Sequence, residues 1–233
     1  MNRKDEEIIV AKEIVKNYQE DSIKVRAVRG VDLTISSGDF ASIVGPSGSG
    51  KTTLLNCISG LDTPTSGKVW LKGELMSEMS GKQLSDLRRD NIGFIFQAYN
   101  LIPVLTVEEN IEYVMLLQGV DKKERHQRVL RILEEMGLQG FHDRFPPQLS
   151  GGQQQRVAIA RAMVSQPALI LADEPTANLD SKTGSDLLDM MRELNEKRGM
   201  AFLFSTHDKL VMKKAKRLIV LKDGQIEKDE IKG

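Results

Sequence analysis

The chain of 233 residues has one cysteine, Cys57, so an internal disulfide is excluded. Cys57 lies among apolar residues and reads as a small core hydrophobe. Aromatic residues are scarce at 5%, which argues against a base-stacking surface. Neither sign of charge is in excess: 33 Lys and Arg balance 33 Asp and Glu, for a formal net charge of +0. No strong field therefore favours nucleic acid as a partner. No window approaches about 18 uninterrupted apolar residues, so no segment reads as membrane-spanning. The opening Met1-Asn-Arg-Lys-Asp-Glu-Glu7 is charged and lacks an apolar signal core. A reducing cytoplasmic setting is the expectation. Internal repeats, low-complexity tracts and long linkers are missing too. An ordinary globular composition remains, 40% hydrophobic and 28% charged, long enough for one large domain.

The run Gly45-Pro46-Ser47-Gly48-Ser49-Gly50-Lys51-Thr52 fits G-x-x-x-x-G-K-[ST], the phosphate-cradling loop. Its glycines let backbone amides turn toward an anion. Lys51 supplies a mobile charge for the outer phosphates, and Thr52 offers a hydroxyl to Mg²⁺. Phe40–Val44 before it reads as a buried strand, and Thr53–Ile58 after it as the first turns of a helix. That helix start adds partial positive charge beneath the phosphates.

Four short apolar runs, Ala41–Val44, Ile92–Phe96, Leu169–Ala172 and Ala201–Phe204, read as parallel strands buried on both faces. Gly45, Gln97, Asp173 and His207 lie at or just past their carboxyl ends, where ligands of open α/β sheets bind. Arg217–Leu221 is a fifth strand, ending in a turn at Lys222-Asp223-Gly224. The looser alternation over Ile8–Val15, Ile23–Val28 and Val31–Ile35, with Gly67–Gly73, fits a small antiparallel sheet. From Val107 to Val164 the pattern is helical. Within it, Asp121–Met136 has an apolar stripe, while Arg125, Arg128 and Arg131 read as a solvated face and His126 and His142 as surface residues.

Ala168–Ala172 leads into Asp173-Glu174. Asp173 suits the metal-holding role at a strand end, and Glu174 can face a water attacking the terminal phosphate. Ser150 and Gln153 have capping-box spacing before the helix Gln154–Ala162. A cap does not need Gly151 and Gly152, which cost helix stability. Their bare amides form a second anion site. One nucleotide does not need two such sites, so this one serves a nucleotide held by another copy of the chain.

Taken together, these residues resemble the nucleotide-binding subunit of an ATP-binding-cassette transporter. LSGGQ stands intact at Leu149–Gln153, and Gln97, Asp173-Glu174, Asn178-Leu179-Asp180 and His207 follow the family's order. The resemblance runs from about Ile8 to Glu227. Arg88–Gln97, Asn100–Pro103 and Leu149–Ala162 are most similar to the lipoprotein-releasing and macrolide-export group. It implies a P-loop NTPase fold of the RecA-like α/β type. A mostly parallel core (residues 40–66, 85–97 and 165–225) would join an antiparallel β subdomain (8–35 and 67–73) and an inserted helical subdomain (98–164). ATP and Mg²⁺ are the implied cofactors. The phosphate loop Gly45–Thr52, with Thr53, would bind the nucleotide, and Tyr18 would stack on adenine. Lys51, Gln97, Glu174 and His207 would serve catalysis, and Thr52, Gln97 and Asp173 the metal. Ser150, Gly151, Gly152 and Gln153 would contact the ATP of the opposite subunit, with Asp180 at the seam.

The resemblance further implies a dimer closed around two ATP molecules and peripheral on the inner face of the membrane. An integral membrane subunit would dock on the region around Gln97–Val107, taken as helical. Export or extraction of lipoproteins, hydrophobic compounds or peptides is the implied work. A non-transport switch acting on a membrane partner stays open. A soluble cassette acting on nucleic acid is disfavoured, because Lys213, Lys214, Lys216 and Arg217 form only a small basic cluster. Paired cassettes and a long coiled-coil insertion are also missing.

Overall fold

The computed structural model describes residues 6–20 and 23–232. Met1–Asp5 of the charged opening lie outside the described residues. In chain order the elements begin with β1 (Glu7–Glu20), β2 (Ile23–Ser36), β3 (Phe40–Val44), α1 (Lys51–Ser59), β4 (Ser66–Leu71) and β5 (Glu74–Leu75). Next come α2 (Gly81–Asn91), β6 (Ile92–Ile95), α3 (Val107–Leu117), α4 (Lys122–Glu135) and α5 (Gly151–Met163). The chain ends with β7 (Leu169–Asp173), α6 (Ser181–Arg198), β8 (Ala201–Thr206), α7 (Lys209–Lys214), β9 (Arg217–Lys222) and β10 (Gln225–Ile231).

Two sheets result. The larger has the order β10-β9-β3-β8-β7-β6, parallel except for the β9–β10 hairpin. The smaller is antiparallel, β2-β1-β4-β5. The period-2 alternation of a strand splits the core in two. Phe40, Ile170, Ala172, Phe202 and Phe204 face one side, packing with α3, α4, α5 and α6. Ala41, Ile43, Leu169, Leu171 and Leu203 face the other, packing with α1 and the antiparallel sheet. The Phe40 ring lies 4.8 Å from Phe204 and 5.6 Å from Phe202. Truncating one such buried ring to alanine costs about 3–5 kcal/mol. Gly93 on β6 lets α5 approach, since a Cβ there would lie 2.2 Å from the Ala162 carbonyl oxygen.

The fold class matches the expectation, and the differences are local. β1 and β2 are each continuous over 14 residues, carried through irregular positions by bulges. The stretch from Gln97 to Thr106 is not helical; α3 starts only at Val107, capped by Thr106. Tyr99 and Asn100 adopt left-handed backbone conformations (φ 55 and φ 49), which break any helix there. Arg125 is not on a solvated face. It bonds Glu112 at 2.8 Å and the Val120 carbonyl at 2.7 Å, bracing α4 against α3. His126 reaches Glu108, and His142 reaches Asp143. Three members of the basic cluster are paired locally: Lys214 meets Asp189, Lys216 meets Glu196, and Arg217 meets Asp39 and Asp229.

Candidate nucleotide site

The carboxyl ends of β3, β7 and β8 converge on a cavity of roughly 970 Å³. Pro46, Ser47, Gly48, Gly50, Lys51, Thr52 and Thr53 line it together with Gln97, Asp173, Glu174 and His207. The anticipated phosphate loop and three strand-end groups therefore meet in one place. Gly45 and Ser49 sit behind the lining, Ser49 being buried.

The loop is built to expose its amides. Gly50 caps α1 with φ +99, and a Cβ there would lie 2.2 Å from the Ala27 carbonyl oxygen. Only glycine combines that conformation with that approach. The β9–β10 turn braces the loop from behind. Gly224 N donates to the Ser49 carbonyl at 3.0 Å, and Arg29 N donates to the Gly224 carbonyl at 2.8 Å. Lys51 Nζ donates to the carbonyls of Gly45 (2.8 Å) and Pro46 (2.9 Å), arching over the loop.

The acidic side is equally ordered. Thr52 Oγ1 donates to Asp173 Oδ2 at 3.4 Å, which sets a hydroxyl and a carboxylate side by side. Among the described residues no cluster of three or more His, Cys, Asp or Glu side chains could hold a metal. One hydroxyl, one carboxylate and phosphate oxygens are instead the donor set that suits Mg²⁺. Glu174 has a left-handed backbone (φ 48), a conformation that costs about 1–3 kcal/mol and gathers at functional sites. Its Oε2 accepts from Thr206 Oγ1 at 2.7 Å, and its Oε1 lies 2.5 Å from His207 Nδ1. The Ser205 hydroxyl, buried in the cavity wall, has no hydrogen-bond partner among the described residues. A glycine cradle, an arching lysine and a polar wall with the unpartnered Ser205 hydroxyl fit a nucleotide's phosphates.

An ABC transporter family model matches residues 28–177. This chain belongs to the ABC transporter family. It is 44% identical over 227 residues to the ABC transporter ATP-binding protein MJ0796 of Methanocaldococcus jannaschii, covering 96% of this chain and 97% of that protein. The solved dimeric structure of MJ0796 superposes with a TM-score of 0.88 at 43% identity, covering 96% of this chain and 98% of that one. Another captures MJ0796 as a post-hydrolysis dimer bound to ADP and Pi. The lipoprotein-releasing ATP-binding protein LolD of Legionella pneumophila is 42% identical over 219 residues, covering 94% of this chain and 96% of LolD. The macrolide export ATP-binding/permease protein MacB of Hyphomonas neptunium is 44% identical over 222 residues, covering 95% of this chain and 34% of MacB. The protein is thus an ABC ATPase, a nucleotide-binding transporter subunit. None of its helices among the described residues is long and apolar enough to cross a membrane.

Other anticipated residues of this ABC cassette stand outside the cavity. Ser150 caps α5 in a full capping box with Gln153, and Ser150 and Gly151 are exposed. None of Ser150–Gln153 lines the cavity. A Cβ on Gly151 would lie 3.1 Å from Tyr99 Oη and one on Gly152 3.0 Å from the Thr183 methyl, so a larger residue there would make those side chains shift. Asp180 caps α6 and lines a separate cleft beside Ser181 and Lys213. The Thr183 side chain and the Lys182 and Thr183 amides hold its carboxyl below the usual carboxylate range. Tyr18 stands at the rim: its cross-strand partner Val25 and its neighbour Thr53 line the cavity, but Tyr18 does not. The loop carrying Gln97 is tied down by Asn178 Nδ2, which donates to the Gln97 carbonyl at 2.8 Å. Arg161 adds bonds to the carbonyls of Tyr99 and Asn100.

Sequence reasoning missed Thr206, although a polar Ser205-Thr206 pair closing an apolar strand was a visible signal. It also missed the β2 wall of Arg26, Ala27 and Arg29, whose approach depends on long-range pairing.

Proposed function

We propose that two copies of this chain close head-to-tail around two ATP molecules and that hydrolysis lets them part, driving a membrane-embedded partner. The observation that carries this reading is the placement of LSGGQ. A capped helix start with exposed Ser150 and Gly151 lies outside its own chain's nucleotide cavity. A second chain has to bring that helix end to a phosphate.

In this reading the loop amides, Lys51 and the opposing α5 terminus bind the phosphate chain. Mg²⁺, when bound by Thr52 and Asp173, would neutralise phosphate charge. Gln97 senses that region from its loop. Glu174 takes a proton from the attacking water, held in place by Thr206 and His207. Asp180 lies at the seam, and Tyr18 receives the adenine. The terminal phosphate is the contact both chains share, so its loss releases the interface.

The partner's docking surface is assigned to the face around the loop after Gln97. Ile102, Val104, Tyr113, Leu116 and Leu117 are exposed there. They neighbour a groove of roughly 380 Å³ that Phe94, Phe96 and Val114 help to line. Exposed apolar residues in such density mark interaction sites. Export or extraction of lipoproteins, hydrophobic compounds or peptides is the assigned work, supported by similarity to LolD and MacB.

Mixing two inactive variants tests the shared site. Lys51→Ala ruins its own phosphate loop, and Ser150→Arg ruins the helix end offered to the other copy. Together they leave one intact composite site per heterodimer. Turnover should reappear on mixing. Its absence, or full-rate turnover at dilutions where no dimer exists, would refute the reading.

A further inference from the structure

Beside the cavity rim lies a charged cluster that none of the roles above uses. We propose that Asp62 and Lys16 are positioning residues for Tyr18, holding its ring as a preset platform for the nucleotide base. This rests on the reading of Tyr18 as the base-stacking residue.

The contacts are specific. The Tyr18 hydroxyl donates to Asp62 Oδ2 at 2.8 Å. Lys16 Nζ donates to the other oxygen, Oδ1, at 2.6 Å and to the Thr63 carbonyl at 2.8 Å. One carboxylate therefore anchors two side chains of β1. The lysine side chain is 13% exposed and Asp62 is 30% exposed, so the pair is sheltered. Lys16 Nζ also lies 5.0 Å from the centre of the Tyr18 ring. The ammonium takes one face of the ring and draws π density toward itself. Tyr18 is still 39% exposed, so ring surface that Lys16 does not cover remains for a flat, π-rich partner.

Asp62 is in turn fixed to α1. The amides of Leu61 and Asp62 both donate to the Asn56 carbonyl, at 3.0 and 3.1 Å. The same nine-residue helix carries the phosphate loop at its start and Asp62 just past its end. The base platform and the phosphate cradle are thereby registered on one rigid rod. A side chain ordered before binding avoids its ordering cost on binding, which is roughly two- to tenfold in affinity for one side chain.

The experiment compares equilibrium binding of ATP and of inorganic tripolyphosphate, without divalent cation so that nothing turns over. Tyr18→Ala should weaken ATP about tenfold and leave tripolyphosphate unchanged. Asp62→Asn should weaken ATP roughly two- to tenfold, again sparing tripolyphosphate. In a Tyr18→Ala background Asp62→Asn should add nothing. Tyr18→Phe removes the hydrogen bond to Asp62 outright, where asparagine keeps one acceptor oxygen and loses the charge, and it carries the same prediction should Asp62→Asn fail to fold. If Tyr18→Ala weakens ATP while Asp62→Asn and Tyr18→Phe do not, the positioning role is overturned and the base reading stands. Equal losses for ATP and tripolyphosphate at Asp62 would place its effect on the phosphate loop and overturn the proposal. An unaffected Tyr18→Ala would remove the base reading and this proposal together.

Discussion

Thr206→Val isolates one contact of the proposed hydrolytic centre. Thr206 is fully buried; its hydroxyl donates to Glu174 Oε2 at 2.7 Å and accepts from Asp208 N at 3.0 Å. Valine has nearly the same shape, so no cavity opens. The Asp208 amide loses its partner, at about 1–2 kcal/mol of stability. The bond to the carboxylate is worth about 1.5–3 kcal/mol. If the transition state needs it in full, kcat falls about 10- to 100-fold. Where Thr206 serves hydrolysis through that carboxylate, the loss stays within the loss from Glu174→Gln. Steady-state ATPase measurements, ATP binding and a thermal melt separate the effects. ATP affinity should stay within about twofold, and Thr206→Ser should restore most of the rate. A valine variant with native kcat would refute the reasoning, as would an affinity loss that tracks the rate.

Gly50→Ala should weaken ATP binding at least about tenfold and lower the melting temperature, because φ +99 and the Ala27 carbonyl both exclude a methyl group; calorimetric titration with native affinity would contradict this. The Cys57 thiol, pushed up to about 11 by burial, should resist alkylation at neutral pH and react quickly only in denaturant; mass spectrometry of timed samples measures it. The Lys16 ammonium is held above the usual lysine range by its bond with Asp62. Asp62 is held below the usual carboxylate range: burial opposes ionisation, but the Lys16 and Tyr18 bonds prevail. A lowered carboxylate stabilises above its unfolded value and loses that as pH falls; a raised lysine stabilises below its unfolded value and loses that as pH rises. The ATP-affinity ratio of wild type to Asp62→Asn should therefore be flat between about pH 5 and pH 9. A marked slope there would show that the cluster is not fully ionised.

The phosphate loop, Asp173-Glu174, the capping box at Ser150 and the parallel strands were legible because each is local in sequence. Continuous apolar strands and fixed loop spacing leave signals that no tertiary contact needs to explain. The α2 helix was not legible from periodicity, because none of its residues is buried. Only Ser80 and Gln83, an S-x-x-Q cap, announce it. The β10 strand is an exposed edge whose charged residues carry no alternating core signal. The run from Gln97 to Thr106 misled because it is dense in apolar residues, yet Leu101 packs on the core while Ile102 and Val104 face outward, with no helix between them. The Tyr18–Asp62 contact spans 44 residues and has no local trace at all.

The bracing at Gly224 has a mechanical consequence. A single residue there bonds the phosphate loop through its N–H and β2 through its carbonyl. The wall that grips phosphates and the sheet that carries Tyr18 are riveted into one fixed jaw. The segment after Gln97 is held instead largely by side chains: Asn178 and Arg161 bond its carbonyls, and the buried Asn110 bonds Ile102 and Leu105. In the proposed cycle, a change at the terminal phosphate would pass through Gln97 to the exposed apolar face beyond it.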